Sequence, residues 1–122
     1  MLVVFALTPF VAAASSPSVF NQTQGGLWQV DRTGAKPVRI CVPSTAALAL
    51  FEHRNASCSR NVIRDSGSIA TIRYTCAGGD FGQSDFTLLT PRSLRIATQG
   101  ISASAPFNYV LQAHRVGDCP AH

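Results

Sequence analysis

The sequence predicts a mainly β domain: a curved antiparallel meander or half-barrel with one short helix against it and two disulfides. Three observations carry this. Apolar and polar residues alternate with period two over several stretches, and turn residues recur at short intervals between them. No internal repeat, heptad or low-complexity tract interrupts the pattern. Four cysteines are spread through 122 residues at long, irregular spacings.

Residues 1–14 form an apolar run ending in small residues, with Ala12 and Ala14 spaced as a signal peptidase requires. The run is shorter than the roughly 20 apolar residues that span a bilayer. It therefore predicts a cleaved secretory leader rather than an anchor, and no stable membrane insertion. No Lys or Arg precedes Arg32, so the basic start of such a leader is expected upstream of Met1. Residues 15–122 remain as a single β-rich domain.

A polar lead-in with Gly25 and Gly26 precedes a first strand over 27–31. A second follows over 36–43, with Val38, Ile40 and Val42 on one face. Residues 43–54 change character: Ser44 or Thr45 can cap, and the alanines and leucines favour helix. A short helix ending near Asn55 is expected there. Cys58 and Cys76 lie at equal distances from Gly67, which predicts a hairpin stapled by its own sulfurs. Pairing residues whose numbers sum to 134 sets Arg60 opposite Tyr74, Val62 opposite Ile72 and Arg64 opposite Ala70, all on the face of the sulfurs. Ser59, Asn61, Thr71, Arg73 and Thr75 fall on the other face, with Ile63 and Ile69 as exceptions.

A second hairpin turns at 90–93, pairing Leu88 with Leu94, Phe86 with Ile96 and Ser84 with Thr98. A last strand over 107–115 alternates Phe107, Tyr109, Leu111 and Ala113. Four cysteines allow three connectivities; the hairpin register selects Cys58–Cys76, which leaves Cys41 to pair with Cys119. Such bonds require an oxidising compartment, so a periplasmic or secreted location is expected.

The formal charge is +4, and Lys36 is the only lysine. The arginines are dispersed from Arg32 to Arg115 without a run, so the charge does not indicate nucleic acid.

Gly26, Leu27 and Trp28 at the mature start, Cys41 ahead of a short helix, Cys58, Cys76 followed by Gly78 and Gly79, and the terminal Gly117, Asp118 and Cys119 form an ordered pattern. Together they resemble a family of small exported proteins of Gram-negative bacteria, known only as a domain of unknown function. The resemblance spans nearly all of the mature chain. It implies an exported, disulfide-bonded, β-rich protein with no assigned activity.

Chemical motifs are sparse. Structural zinc sites bring ligands in close pairs, and redox dithiols need C-x-x-C; neither spacing occurs, so no metal or cofactor is expected. His53, His114 and His122, with Asp80, Asp85 and Asp118, are the raw material of a hydrolytic site, but their spacing singles out no nucleophile, and all three histidines are expected at the surface. Trp28, Arg60, Arg64 and Tyr74 are the candidate ligand contacts. An arginine stacked on the Tyr74 ring would present its edge to an anionic group. The plainer arrangement, and the expected one, buries Tyr74 and leaves the arginines reaching to its edge. The function expected is an exported binding or interaction module without catalytic activity, its partner an envelope protein or a small apolar or anionic ligand. Two alternatives remain: a secreted inhibitor of an extracytoplasmic enzyme such as a lysozyme, inserting the 77–80 or 101–105 loop, and a small hydrolase using His53 or His114.

Overall fold

The computed structural model describes residues 3–4 and 18–121. The expected leader, residues 1–14, falls outside the described residues except for residues 3 and 4, as does His122. The chain forms α1 (Val19–Gln22), β1 (Gly26–Arg32), β2 (Val38–Val42), a 3-10 helix (Thr45–His53), β3 (Cys58–Ser66), β4 (Ile69–Cys76), β5 (Phe81–Thr90), β6 (Ser93–Ser102) and β7 (Ala105–Gly117). All seven strands belong to one curved, unclosed antiparallel sheet in the order β2-β1-β7-β6-β5-β4-β3.

Strands β3 to β7 are a plain meander; β1 then adds beside β7, and β2 forms the far edge. The period-two alternation decides which face is dry. Trp28, Val30, Val42, Ala70, Ile72, Tyr74, Phe86, Leu94, Ile96, Leu111 and Ala113 are buried. Their outward neighbours Arg73, Asp85, Arg95 and Gln112 are exposed. The cover comes from the 3-10 helix, through Leu48, Ala49 and Phe51, and from α1, through Val19 and Phe20. The sequence pattern does not announce α1. It is held by a Ser18 cap on the Asn21 amide and by the Asp65 carboxylate, which accepts from the Val19 amide at 2.6 Å.

The expected helix forms as a 3-10 helix capped by the Ser44 hydroxyl, bent at Leu50 (φ −98°, ψ 26°). With three residues per turn, Thr45, Leu48 and Phe51 fall on one line, and all three are buried. At the bend the Ala49 carbonyl turns to the sheet, where Ser84 Oγ lies 2.6 Å from it and 2.9 Å from Thr98 Oγ1. A hydroxyl buried in this core is satisfied by the helix that covers it.

Both predicted hairpins form, the first with one correction. Cys58 to Val62 pair with Cys76 to Ile72 as expected, but Arg64 faces Thr71 and not Ala70. The turn is the two-residue Gly67-Ser68, with Gly67 at φ 65°, a glycine-favoured conformation. A two-residue turn displaces the register by one from a count centred on Gly67, and a bulge at Ile63 absorbs the difference. Because one residue reverses the side-chain faces, Arg64 no longer shares a face with Arg60 and Tyr74. The second hairpin repeats this: Ser84, Phe86 and Leu88 meet Thr98, Ile96 and Leu94, and a shift between Leu88 and Thr90 sets Thr90 opposite Ser93. Strand β3 is also wetter than expected, with Val62 and Ile63 both more than half exposed.

The disulfides are Cys58–Cys76 and Cys41–Cys119, and the described residues contain no free thiol. Among those residues no helix is long and apolar enough to cross a membrane. The bonds close loops of 18 and 78 residues, for which chain entropy gives roughly 3 and 4.5 kcal/mol. Replacing Cys41 and Cys119 by serine is therefore expected to lower unfolding free energy in urea by about 1 to 2 kcal/mol more than replacing Cys58 and Cys76.

Candidate functional site

Antiparallel pairing brings one end of the sheet together from the C-termini of β1, β4 and β6 and the N-termini of β2, β5 and β7. The last residues of the 3-10 helix, Phe51 to His53, descend onto that end together with Arg54. The result is a cleft of about 600 Å³ whose lining includes Val30, Arg32, Lys36, Phe51, Glu52, His53, Arg54, Asp80, Ser102 and Tyr109. This is within the size range of small-ligand sites.

His53 lies at its base and corrects the expectation of a surface histidine: it is only 5% exposed. Its ring packs edge-on against Tyr74 and Phe107, with centroids 5.3 and 5.6 Å away. Nδ1 is 2.8 Å from the Tyr74 hydroxyl, while Nε2 faces Asp80 Oδ2 at 3.4 Å and has no hydrogen-bond partner. A carboxylate only accepts, so in the tautomer that carries its proton on Nε2, towards Asp80, Nδ1 accepts from the Tyr74 hydroxyl. Tyr74 reaches this position because β5 carries Gly82 opposite it; a Cβ there would collide with the phenol.

Asp80 is placed by the staple. The Cys76 amide donates to the Asp80 carbonyl at 2.8 Å, closing a turn through Gly78 and Gly79, both with positive φ. Cys58–Cys76 anchors the base of that turn. Asp80 Oδ2 also accepts from the Ala103 amide at 3.3 Å. Ala103 and Ser104 hold φ of 49° and 66°, a strained conformation for residues with a Cβ. Thus the 77–80 and 101–105 loops, distant in sequence, meet beside His53.

Glu52 accepts from the Tyr109 hydroxyl at 2.9 Å, and Ser102 Oγ lies 3.5 Å from its other oxygen. Arg32 stacks on the Tyr109 ring, 3.9 Å from its centroid, and Arg54 on Phe51 at 4.2 Å. The Phe51 and Tyr109 rings are themselves 6.4 Å apart. A guanidinium on an aromatic face, which the sequence offered as a candidate device at Arg60 and Tyr74, therefore occurs here at other residues.

The remaining candidates are placed elsewhere. Trp28 is fully buried, its indole N–H donating to the Gln24 carbonyl. Tyr74 is in the core, as the plainer reading had it. Arg60 is exposed and lines a separate hollow between β2, the 3-10 helix and β3 with Ile40 and Leu50. Arg64 is exposed on the opposite face of β3. His114 is exposed beside Asp31, 3.8 Å away. Asp85 accepts from Thr71, and Asp118 pairs with Arg115. No cluster of three metal-ligating side chains occurs among the described residues.

A histidine and an aspartate do converge in the cleft, as a hydrolase would need. The second imidazole nitrogen, however, is engaged by a buried phenol and not by a nucleophile facing the cleft. Burial, the Glu52 charge and, to a lesser extent, Asp80 push the Tyr74 phenol up to about 12, with Thr98 opposing part of the shift. Tyr109 is raised by its burial, its hydrogen bond to Glu52 and that carboxylate's charge, with Arg32 offsetting part. Both phenols are neutral donors over the physiological range.

Comparison with family models, curated proteins and solved structures finds no match.

The sequence holds two tyrosines, so at pH 10.5 native protein should show almost no phenolate absorbance at 295 nm, whereas protein in guanidinium should show more than half of it. Because the folded state keeps the Tyr74 proton that the unfolded chain releases near pH 10, stability present below pH 10 should fall between pH 10 and 12, by on the order of 2 kcal/mol. His53→Ala, which strips Tyr74 of its acceptor and opens a void, should cost about 2 to 4 kcal/mol in urea melts. The same change at His114 should stay within about 0.5 kcal/mol.

Proposed function

We propose that this chain is a small exported binding module whose cleft beside His53 takes a small anionic ligand. The observation that carries the reading is the pair of arginines at the cleft. Arg32 and Arg54 each lay one face on an aromatic ring, and among the described residues neither pairs with a carboxylate. Stacking orients a guanidinium and leaves in-plane N–H groups for contact with an oxyanion; Arg54 commits Nη1 to the Phe51 carbonyl at 2.7 Å and keeps its remaining N–H groups for the ligand. Lys36 adds a third cation to the lining. Export is supported by the leader-like run at 1–14, by two disulfides and by the resemblance to exported Gram-negative proteins.

A second reading, the enzyme inhibitor, is favoured by the hydrogen bond from Ala103 to Asp80. It joins the two loops expected to insert into a target into one braced tip. Separating the readings requires asking what stays bound.

Native mass spectrometry of protein recovered from its own envelope is expected to show a retained small anion that is lost in the Arg32→Ala/Arg54→Ala variant. Retention of a protein partner, abolished by changes at Ala103 and Ser104, would favour the inhibitor. Protein that emerges with nothing bound, and whose His53 NMR signals do not move in millimolar acetate or phosphate, would sink the ligand reading.

A further inference from the structure

Glu52 is the least expected neighbour of an anion site. It lines the same cleft as Arg32, Lys36 and Arg54, yet none of these cations pairs with it. Its hydrogen-bond partners among the described residues are two neutral hydroxyls, Tyr109 at 2.9 Å and Ser102 at 3.5 Å. A carboxylate offers about four acceptor directions, so two hydroxyls leave capacity for a ligand. A half-buried negative charge without a counter-ion is costly, and here the counter-ion has not been drawn from the cations nearby, because stacking holds Arg32 and Arg54 on their rings. The cleft thus keeps charges of both signs uncancelled within one small volume. The neighbouring acid, Asp80, faces His53 and accepts from the Ala103 amide through one oxygen at the base of the cleft, whereas Glu52 lies on the same helix end as Arg54 and shares Tyr109 with Arg32.

We infer that the ligand is amphoteric, with an oxyanion bound by Arg32 and Arg54 and a protonated amine bound by Glu52, as in an amino acid or short peptide. This rests on the reading of the cleft as an anion site and adds the second charge. A simple anion would meet repulsion from Glu52, and a simple amine would meet it from three cations. A zwitterion satisfies both sets.

The test is a calorimetric titration of the full chain with four probes: the dipeptide Ala-Ala, its N-acetylated form, its C-terminal amide, and 2-aminoethyl phosphate. At least one of the two zwitterions should bind, and loss of either charge from the dipeptide should weaken it tenfold or more. In Glu52→Gln, which keeps an acceptor for Tyr109, the penalty for acetylation should shrink below threefold while that for amidation persists. Arg32→Ala should show the reverse. The two zwitterions separate a carboxylate from a phosphate as the favoured oxyanion, and preference for either supports the inference. N-acetyl-Ala-Ala binding as tightly as Ala-Ala would overturn the inference and leave the anion site standing. Failure of all four probes to bind would remove both.

Discussion

β2 and β3 follow one another in the chain, yet they bound opposite edges of the sheet. Everything else in the molecule is shaped by the crossing this forces. Seven flat strands at about 4.8 Å would put those edges roughly 29 Å apart, and nine residues of 3-10 helix span only about 18 Å. Curvature and the flanking loops make up the difference. The crossing segment is then the main cover over an otherwise open face. Its Thr45, Leu48 and Phe51 line seals the core, and its Ala49 carbonyl satisfies Ser84 beneath it. A sheet with a single apolar face has no stable existence without such a lid.

The same crossing delivers the site. Phe51, Glu52, His53 and Arg54 are consecutive, and all four line the cleft. The end of the helix thus supplies an aromatic platform, an acid, a buried imidazole and a stacked cation at once. The sheet answers with Tyr74 over Gly82, Tyr109 beneath Arg32, and the Asp80 turn. The Cys58–Cys76 bond, which began as a device for holding two strands together, also fixes the base of the turn that carries Asp80. Structural and chemical roles are therefore not separable at that end of the sheet.

Much of the fold is legible in the sequence because period-two alternation and cysteine symmetry are local signals. The pairings Val62 with Ile72 and Phe86 with Ile96 come from them directly, and Cys41 with Cys119 follows by elimination. What escapes is parity. Both hairpins hide a bulge, and in the first the clue was Ile63, an apolar residue out of phase with its neighbours. α1 escapes because one turn of helix has no periodicity; it exists through the Asp65 carboxylate, 46 residues away. The site was legible in its chemistry and not in its address. An arginine on an aromatic ring is a sound device for anion binding, but the pair that sequence counting offers for it is Arg60 and Tyr74, neighbours across one hairpin, where burial of Tyr74 is the expected outcome. Arg32 and Tyr109 meet only because β1 docks beside β7, a pairing that no local pattern encodes. His53 was likewise placed outside because its burial depends on where the crossing ends.

Cys41–Cys119 has a mechanical meaning as well. It bridges 78 residues, and the 3-10 helix, β3, β4, β5, β6 and β7 all lie between the two sulfurs. A force applied to the chain ends passes through the bond and never reaches those elements; only the segment before Cys41, with α1, β1 and most of β2, bears load. Under tension the molecule would shed its first hairpin from the sheet and stop there. The half of the cleft built on Glu52, His53, Asp80 and Tyr109 would remain assembled while Arg32 was pulled away from its ring. Tension on the N-terminus is thus coupled to one specific contact in the cleft, the stacked guanidinium.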